Sequence, residues 1–191
     1  REGYLVANAP NIPVHLGAMG VFARSLLRKF PNLSKGDILL SNHPAFGGSH
    51  LPDVSLIAPV FGKEGNLACF LANRAHHAEM GGVTPGSMPA GSTMLSEEGV
   101  VLNPQYLFKE GVSQMSRVAD VLESAEYPSR QVDENLADLS AQVASLRHGI
   151  EAMETLLENY GLDEISGQMD ALREESRISC ERFLSEIGEI E

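Results

Sequence analysis

The sequence predicts an α+β protein in which a mixed β-sheet with Gly/Pro-rich active-site loops is followed by a long antiparallel helical hairpin. Three observations predict it. Of the 18 glycines and 10 prolines, 14 and 9 precede Ser116, so the first part is rich in turns. The formal charge of −12 belongs to the second part: 8 basic and 8 acidic residues lie in 1–115, against 6 basic and 18 acidic in 116–191. Finally, Val132, Leu136, Leu139, Val143, Leu146, Ile150, Met153 and Leu157 recur at alternating spacings of 4 and 3, an a/d seam held over three heptads. Residues 1–115 therefore read as the β-containing part that carries the site, and 116–191 as an acidic helical hairpin of the same domain.

In chain order, Tyr4 to Ala9 is apolar enough for a strand and ends at Pro10. Asn11 to Gly17 holds two prolines and a glycine around His15, which makes a stiff loop. A helix is expected from about Gly20 to Phe30, with Val21, Phe22, Leu26, Leu27 and Phe30 on its apolar face. Arg28 and Lys29 complement the dipole at its C-terminal end. Gly36 to Ser41 is a strand that delivers Asn42. Val54–Phe61 and Leu67–Ala72 are apolar runs of strand length, joined by a hairpin loop over Gly62–Asn66. Thr84 to Thr93 has too much glycine and proline for a regular element, and a loop of that length in a compact domain is usually functional. Irregular structure continues through Glu97 to Pro104, with Val100 and Val101 in a short strand.

In the helical part, Ser129 or Asp133 is the expected cap of the first long helix. Gly161 ends that helix at Tyr160, and Asp163 caps the second. The second helix places Ile165, Met169, Leu172, Phe183 and Ile187 on one side. His148 lies off the seam and reads as a surface residue. The seam itself has two uses: packing within its own domain, or docking a partner subunit.

Composition excludes several classes. A chain of 191 residues that is 43% hydrophobic can bury a core and is neither disordered nor fibrous. No apolar run approaches the ~20 residues of a membrane span, and none reads as a signal peptide. The acidic balance argues against a nucleic-acid partner, because phosphate binding needs a basic face. Cys69 in a strand and Cys180 in a helix read as buried, unpaired thiols of a reducing compartment, which points to the cytoplasm. No phosphate-binding loop of the G-x-x-x-x-G-K-[ST] type occurs. The chain opens on Arg1 without a methionine and is expected to be a piece of a longer protein.

Chemistry concentrates between Asn42 and Gly82. Four of the 6 histidines lie there, in the blocks Asn42-His43-Pro44-Ala45-Phe46-Gly47-Gly48-Ser49-His50-Leu51-Pro52-Asp53 and Asn73-Arg74-Ala75-His76-His77-Ala78-Glu79-Met80-Gly81-Gly82. Imidazole and carboxylate are the ligands of a divalent transition metal. A hairpin of the two intervening strands brings the end of the first block beside the start of the second. His50 and Asp53, three apart across a proline, both reach one ion from a loop. His76 and His77 point to opposite sides of an extended segment, so at most one of them joins that ion. The other is free to act as acid, base or supporting residue.

These blocks, with Gly36-Asp37, Pro59-Val60-Phe61 and Thr84-Pro85-Gly86-Ser87-Met88-Pro89, closely resemble the hydantoinase B family. That family includes the second half of oxoprolinases and the alpha subunit of acetone carboxylases. Asn8-Ala9-Pro10, Ile12-Pro13-Val14-His15-Leu16-Gly17, Glu98-Gly99 and Asn103-Pro104 fit the same pattern, so the resemblance spans essentially the whole chain. Family members run to several hundred residues, and the chain looks like an N-terminal piece of one.

The resemblance implies a subunit that hydrolyses a cyclic amide, such as a lactam or hydantoin, after an ATP-dependent hydantoinase A-type partner has activated the ring. By the same resemblance His50, Asp53 and His76 are the ligands of a divalent metal ion (manganese, zinc or iron), and His77, Glu79 and Asn42 are catalytic. The piece alone is expected to be inactive, and the full-length protein oligomeric. Two other readings are a part of an acetone carboxylase-like alpha subunit and a non-catalytic interaction module. The family commonly has Asp where this chain has His43, Asp where it has Glu79, and histidine where it has Asn11.

Overall fold

A computed structural model describes residues 2–9 and 15–188. Five strands form one sheet: β1 (Ile38–Ser41), β2 (Asp53–Phe61), β3 (Leu67–His76), β4 (Gln105–Lys109) and β5 (Val112–Ser113), in the order β3-β2-β1-β4-β5. Five α-helices accompany them: α1 (Leu16–Lys29), α2 (Leu95–Glu98), α3 (Met115–Ser124), α4 (Val132–Tyr160) and α5 (Leu162–Ile187). The α+β class is borne out. The sheet, however, is antiparallel at every pairing and not mixed. Its strands join through hairpins and loops, with no helical crossover of the kind that returns a strand parallel to its predecessor.

The near-continuous apolar run of β2 follows from burial on both faces. On one face Leu39 and Ile57 meet Phe22, Ala23 and Leu26 of α1. On the other, Ile38, Leu40, Val54, Leu56 and Ala58 meet Val118 and Leu122 of α3 and Leu139, Val143 and Leu146 of α4. Burying each such leucine or valine side chain stabilises the fold by about 1.5–3 kcal/mol. This second cluster draws on residues from both sides of Ser116, so the two parts of the chain share one core.

Several expectations are corrected. Tyr4–Ala9 is not a strand: it runs without ladder partners, and the Tyr4 ring is flanked by the guanidinium groups of Arg24 and Arg173. Residues 11–14 of the expected stiff loop lie outside the described residues. The first helix starts at Leu16, not Gly20. Two glycines cost it about 1 kcal/mol each, and the buried contacts of Phe22, Ala23 and Leu26 offset that. Val100 and Val101 form no strand, while Gln105–Lys109, for which the sequence carries no expectation, is β4. The Val100 carbonyl and the Leu102 amide bond the Asn42 side chain instead, while Val100 N donates to the Met80 carbonyl and the Leu102 carbonyl accepts from Asn42 N and Ser41 Oγ.

The helix caps also differ. The cap position of α4 is Gln131, with no side-chain cap bond, and Asp133 lies in the first turn. Ser129 accepts from the Gln131 amide and donates to Asn135 Oδ1. Gly161 joins α4 to α5 at φ +81°, and Asp163 is a first-turn residue of α5, not its cap. The seam of α4 packs on the sheet, with Val132, Leu136 and Ile150 completing it, so it is not the inner face of a helical hairpin. Helix α5 has no buried residue and packs through Leu162, Ile165 and Met169 against Leu157, Val60, Ala68 and Cys69. His148 is exposed, as expected. Cys69 is buried but Cys180 is exposed, because it lies on the part of α5 beyond that packed end; both thiols are free.

Candidate metal centre

The β2–β3 hairpin builds the site. Its register pairs Asp53 with His76 and Ser55 with Arg74, and these side chains share the face that α1 covers further along the strands. Alternation then sends Val54, Asn73 and Ala75 to the other face. The loop between β1 and β2 supplies His50 and Ser49. Gly48 lets that loop fold back, since a Cβ there would collide with the carbonyl of Asn42.

His50, Asp53 and His76 each offer one ligand atom, and these atoms all lie within 4.8 Å of one another. Asp53 is 1% exposed and stands between the two half-exposed imidazoles. His76 Nδ1 is 3.0 Å from Asp53 Oδ1, and His50 Nδ1 is 2.8 Å from Asp53 Oδ2. The second approach lacks hydrogen-bond angles, so His50 Nδ1 and Asp53 Oδ2 are both buried without a partner. No hydrogen bond satisfies that close approach of two electronegative atoms, and a cation beside both would. Ligand atoms about 2.0–2.1 Å from a tetrahedral ion stand roughly 3.3 Å apart, and the three atoms here gather within 4.8 Å of one another. The donor set, one carboxylate and two imidazoles, therefore fits a divalent transition metal.

Two further residues close the site. His15, at the start of α1, has Nε2 3.7 Å from Asp53 Oδ2. Arg74 sends Nε to Ser55 Oγ at 2.6 Å, Nη2 to the Gly47 carbonyl at 2.7 Å, and Nη1 to Ser49 Oγ at 2.9 Å and His15 Nδ1 at 3.2 Å. Burial lowers the pKa of the Arg74 guanidinium, and the Asp53 charge opposes that shift. The sequence reading placed His15 in a stiff loop and Arg74 inside the second block without giving either a role. The proline-bounded loop was the available signal for His15, and the β-register with Ser55 was the one for Arg74.

The three residues expected to be catalytic are held elsewhere. Asn42 donates to the carbonyls of Leu51 and Val100 and accepts from Leu102 N at 2.7 Å, so its amide ties the loop between β1 and β2 to the Val100–Leu102 stretch. His77 leaves β3 on the α4 side. Its Nε2 meets Gln142 Oε1 at 3.2 Å and its Nδ1 meets Asn135 Nδ2 at 3.3 Å. Burial lowers its pKa, while Gln142 and Asp138 oppose the shift. Glu79 accepts from Gly81 N at 2.7 Å, Gly86 N at 2.9 Å and Arg130 Nη1 at 2.8 Å. Burial alone would raise its pKa, but those bonds outweigh it and hold the carboxyl below its ordinary range. Asn135 and Gln142 are the polar residues on the sheet-facing side of α4, and the sequence reading passed over both.

His43 lies outside the cluster. It caps the short 3-10 turn Pro44–Phe46, its Nδ1 accepting from Ala45 N at 3.1 Å. An aspartate at a helix cap serves as the same kind of acceptor, so the exchange keeps the turn.

A sequence model of the family described as hydantoinase B/oxoprolinase matches residues 1–191. The chain is 42% identical over 212 residues to 5-oxoprolinase 1 of Arabidopsis thaliana, covering 98% of the chain and 16% of that protein. Among solved structures it is similar to the ATP-dependent caprolactamase of Pseudomonas jessenii, with a TM-score of 0.76 and 25% identity over 87% of the chain and 28% of that one. The nucleotide-free structure of an acetone carboxylase matches with a TM-score of 0.69 over 86% of the chain and 22% of its own, and at 19% identity it shows the fold alone. The chain thus spans less than a third of the length of each of these relatives.

Proposed function

Because the chain belongs to the hydantoinase B/oxoprolinase family, we propose that it is the metal-holding part of a B-type subunit that hydrolyses a cyclic amide. The observation that carries this reading is the pair of buried, unpartnered atoms His50 Nδ1 and Asp53 Oδ2, converging with His76 within 4.8 Å. His50, Asp53 and His76 hold a divalent ion, manganese, zinc or iron. Such an ion polarises a carbonyl and lowers the pKa of bound water. Asp53 supplies the negative charge in a partly desolvated setting, and the exposed sides of His50 and His76 leave room for a ring substrate.

Within this reading, His77, Glu79 and Asn42 position the loops around the centre and do not exchange protons with substrate. Asn42 ties the first block to Val100 and Leu102, Glu79 fixes Gly81 and Gly86, and His77 is held between two amides, which neither give nor take protons. The related caprolactamase is described as ATP-dependent, and the chain contains no phosphate-binding loop of the Walker type. We therefore assign ATP-driven activation of the ring to a hydantoinase A-type partner, in a cytoplasmic complex.

Elemental analysis after equilibration with manganese, zinc or iron tests the reading. Wild type should hold one ion, His50→Ala, Asp53→Ala and His76→Ala should lose it, and His77→Ala should keep it. Retention of full occupancy by all three ligand variants would sink the proposal.

A further inference from the structure

His15 stands beside the centre with one ring nitrogen already spoken for. Its Nδ1 lies 3.2 Å from Arg74 Nη1 and 3.3 Å from Ser49 Oγ. An arginine nitrogen can only donate. A ring protonated at Nδ1 would set N–H against N–H at that contact, so Nδ1 accepts and the ring proton sits on Nε2. Ser49 Oγ also takes a bond from Arg74 Nη1 at 2.9 Å, which leaves its own hydroxyl proton free to turn toward Nδ1. Arg74 is fixed in turn by Ser55 Oγ and the Gly47 carbonyl, so the donor cannot swing away.

The other side of the ring faces the centre. Nε2 is 3.7 Å from Asp53 Oδ2, beyond hydrogen-bond reach, and Asp53 Oδ2 has no partner of its own. A histidine that ligates a metal through one nitrogen normally donates the other N–H to an acceptor. His15 has the reverse arrangement: its outer nitrogen receives a bond from a cation, and its inner nitrogen carries the proton. His50 and His76 carry no such constraint, since neither ring receives a bond from an arginine.

Resting on the metal reading above, we propose that His15 is not a fourth ligand of the His50–Asp53–His76 centre but the hydrogen-bond donor at its rim, its tautomer set by Arg74. Its Nε2–H serves an oxygen atom of a ligand seated against Asp53, such as water or a carboxylate. Arg74 is then a positioning residue, acting through His15 and through the Ser49 loop.

Two measurements on the 191-residue chain test this. The first is nitrogen-15 NMR of the metal-free protein, with the His15 signals assigned by their loss in His15→Gln. Nδ1 should be unprotonated and Nε2 protonated, and Arg74→Gln should shift the ring toward a mixture of tautomers. The second is zinc titration: His15→Gln should still bind one ion, weakened by no more than about 10–100-fold, while His50→Ala loses stoichiometric zinc. A protonated Nδ1 in the wild type overturns the proposal whatever the zinc result. So does His15→Gln losing zinc as completely as His50→Ala. A wild-type chain that takes up no zinc, manganese or iron instead removes the metal reading, and the role of His15 goes with it.

Discussion

His76 and His77 are neighbours in the chain and end on opposite faces of the sheet. His76 points its Nδ1 at Asp53 Oδ1, 3.0 Å away, and stays exposed on the side of α1. His77 is 1% exposed and lies between Gln142 and Asn135 of α4. The alternation of an extended backbone divides one dipeptide between chemistry and architecture.

The division predicts opposite phenotypes. His77→Ala leaves Gln142 Oε1 unpaired and opens a void, which should cost about 1–3 kcal/mol in urea denaturation. His76→Ala removes an exposed ring and should leave stability within about 0.5 kcal/mol of wild type in the absence of metal. Equal destabilisation by the two variants would contradict the assignment of faces.

The depressed pKa of His77 sets a pH dependence. Burial disfavours its charged form, so the unfolded chain takes up a proton first as pH falls. Its contribution is fully present above the unfolded value near 6.5 and is lost as pH drops from there toward the folded value. Wild type should therefore lose stability relative to His77→Gln between neutral and mildly acidic pH. Parallel stability curves over that window would mean that the ring is not buried uncharged.

Glu79 behaves as a carboxylate whose folded pKa is held down, so its stabilisation is present above the unfolded value near 4.5 and is lost as pH falls through the lower folded one. Glu79→Gln should destabilise the protein at neutral pH, with each lost bond to the charged group worth about 1.5–3 kcal/mol at most. The gap to wild type should close under acid. Arg130→Ala should reproduce part of the loss, since its Nη1 is 2.8 Å from Glu79 Oε1. A gap that widens in acid would reverse the sign and refute the bonding scheme.

The parts of the fold legible in the sequence are those fixed by local periodicity. The β2–β3 hairpin and the seam of α4 announce themselves, because an apolar run of strand length and a heptad spacing are properties of a single segment. The partner of that seam did not, because spacing says that Leu139 and Leu146 are buried but not against what; the sheet, rather than α5, covers them. Strand β4 was missed because Pro104 precedes it and its pairing to β1 spans more than 60 positions, a register no local pattern carries. In the site, His50, Asp53 and His76 could be gathered from motif and hairpin alone. His15 and Arg74 needed the third dimension, and Asn42, His77 and Glu79 needed their bonding partners before their roles separated from those three.

Leu146 is 4% exposed, in the cluster shared by the sheet and α4. Leu146→Asp places an unpaired charge there and should cost about 3–5 kcal/mol. Because the cluster joins both parts of the chain, sheet and helix signals should fall together in one transition. A variant that keeps the wild-type melting curve would show that the seam is free of the sheet.

The two thiols report on the packing of the C-terminal helices in a single experiment. Cys69 lies in β3 beside Val60, Ala68 and Leu157, where burial pushes its pKa up to about 11. The thiolate is the reactive form, so at mildly alkaline pH, about three units lower, only roughly one part in a thousand of Cys69 is ready to react. The surrounding side chains also bar the reagent. Cys180 is exposed, on the stretch of α5 beyond Met169 that touches no core cluster. A disulfide-exchange reagent should therefore modify one thiol quickly in the native protein and the second only after denaturant is added. Cys180→Ser should abolish the fast phase, and Cys69→Ser should leave it intact. If α5 instead lay along α4 and buried Cys180 in a helical hairpin, neither thiol would react quickly, and the absence of a fast phase in the wild type would overturn the packing described for α5.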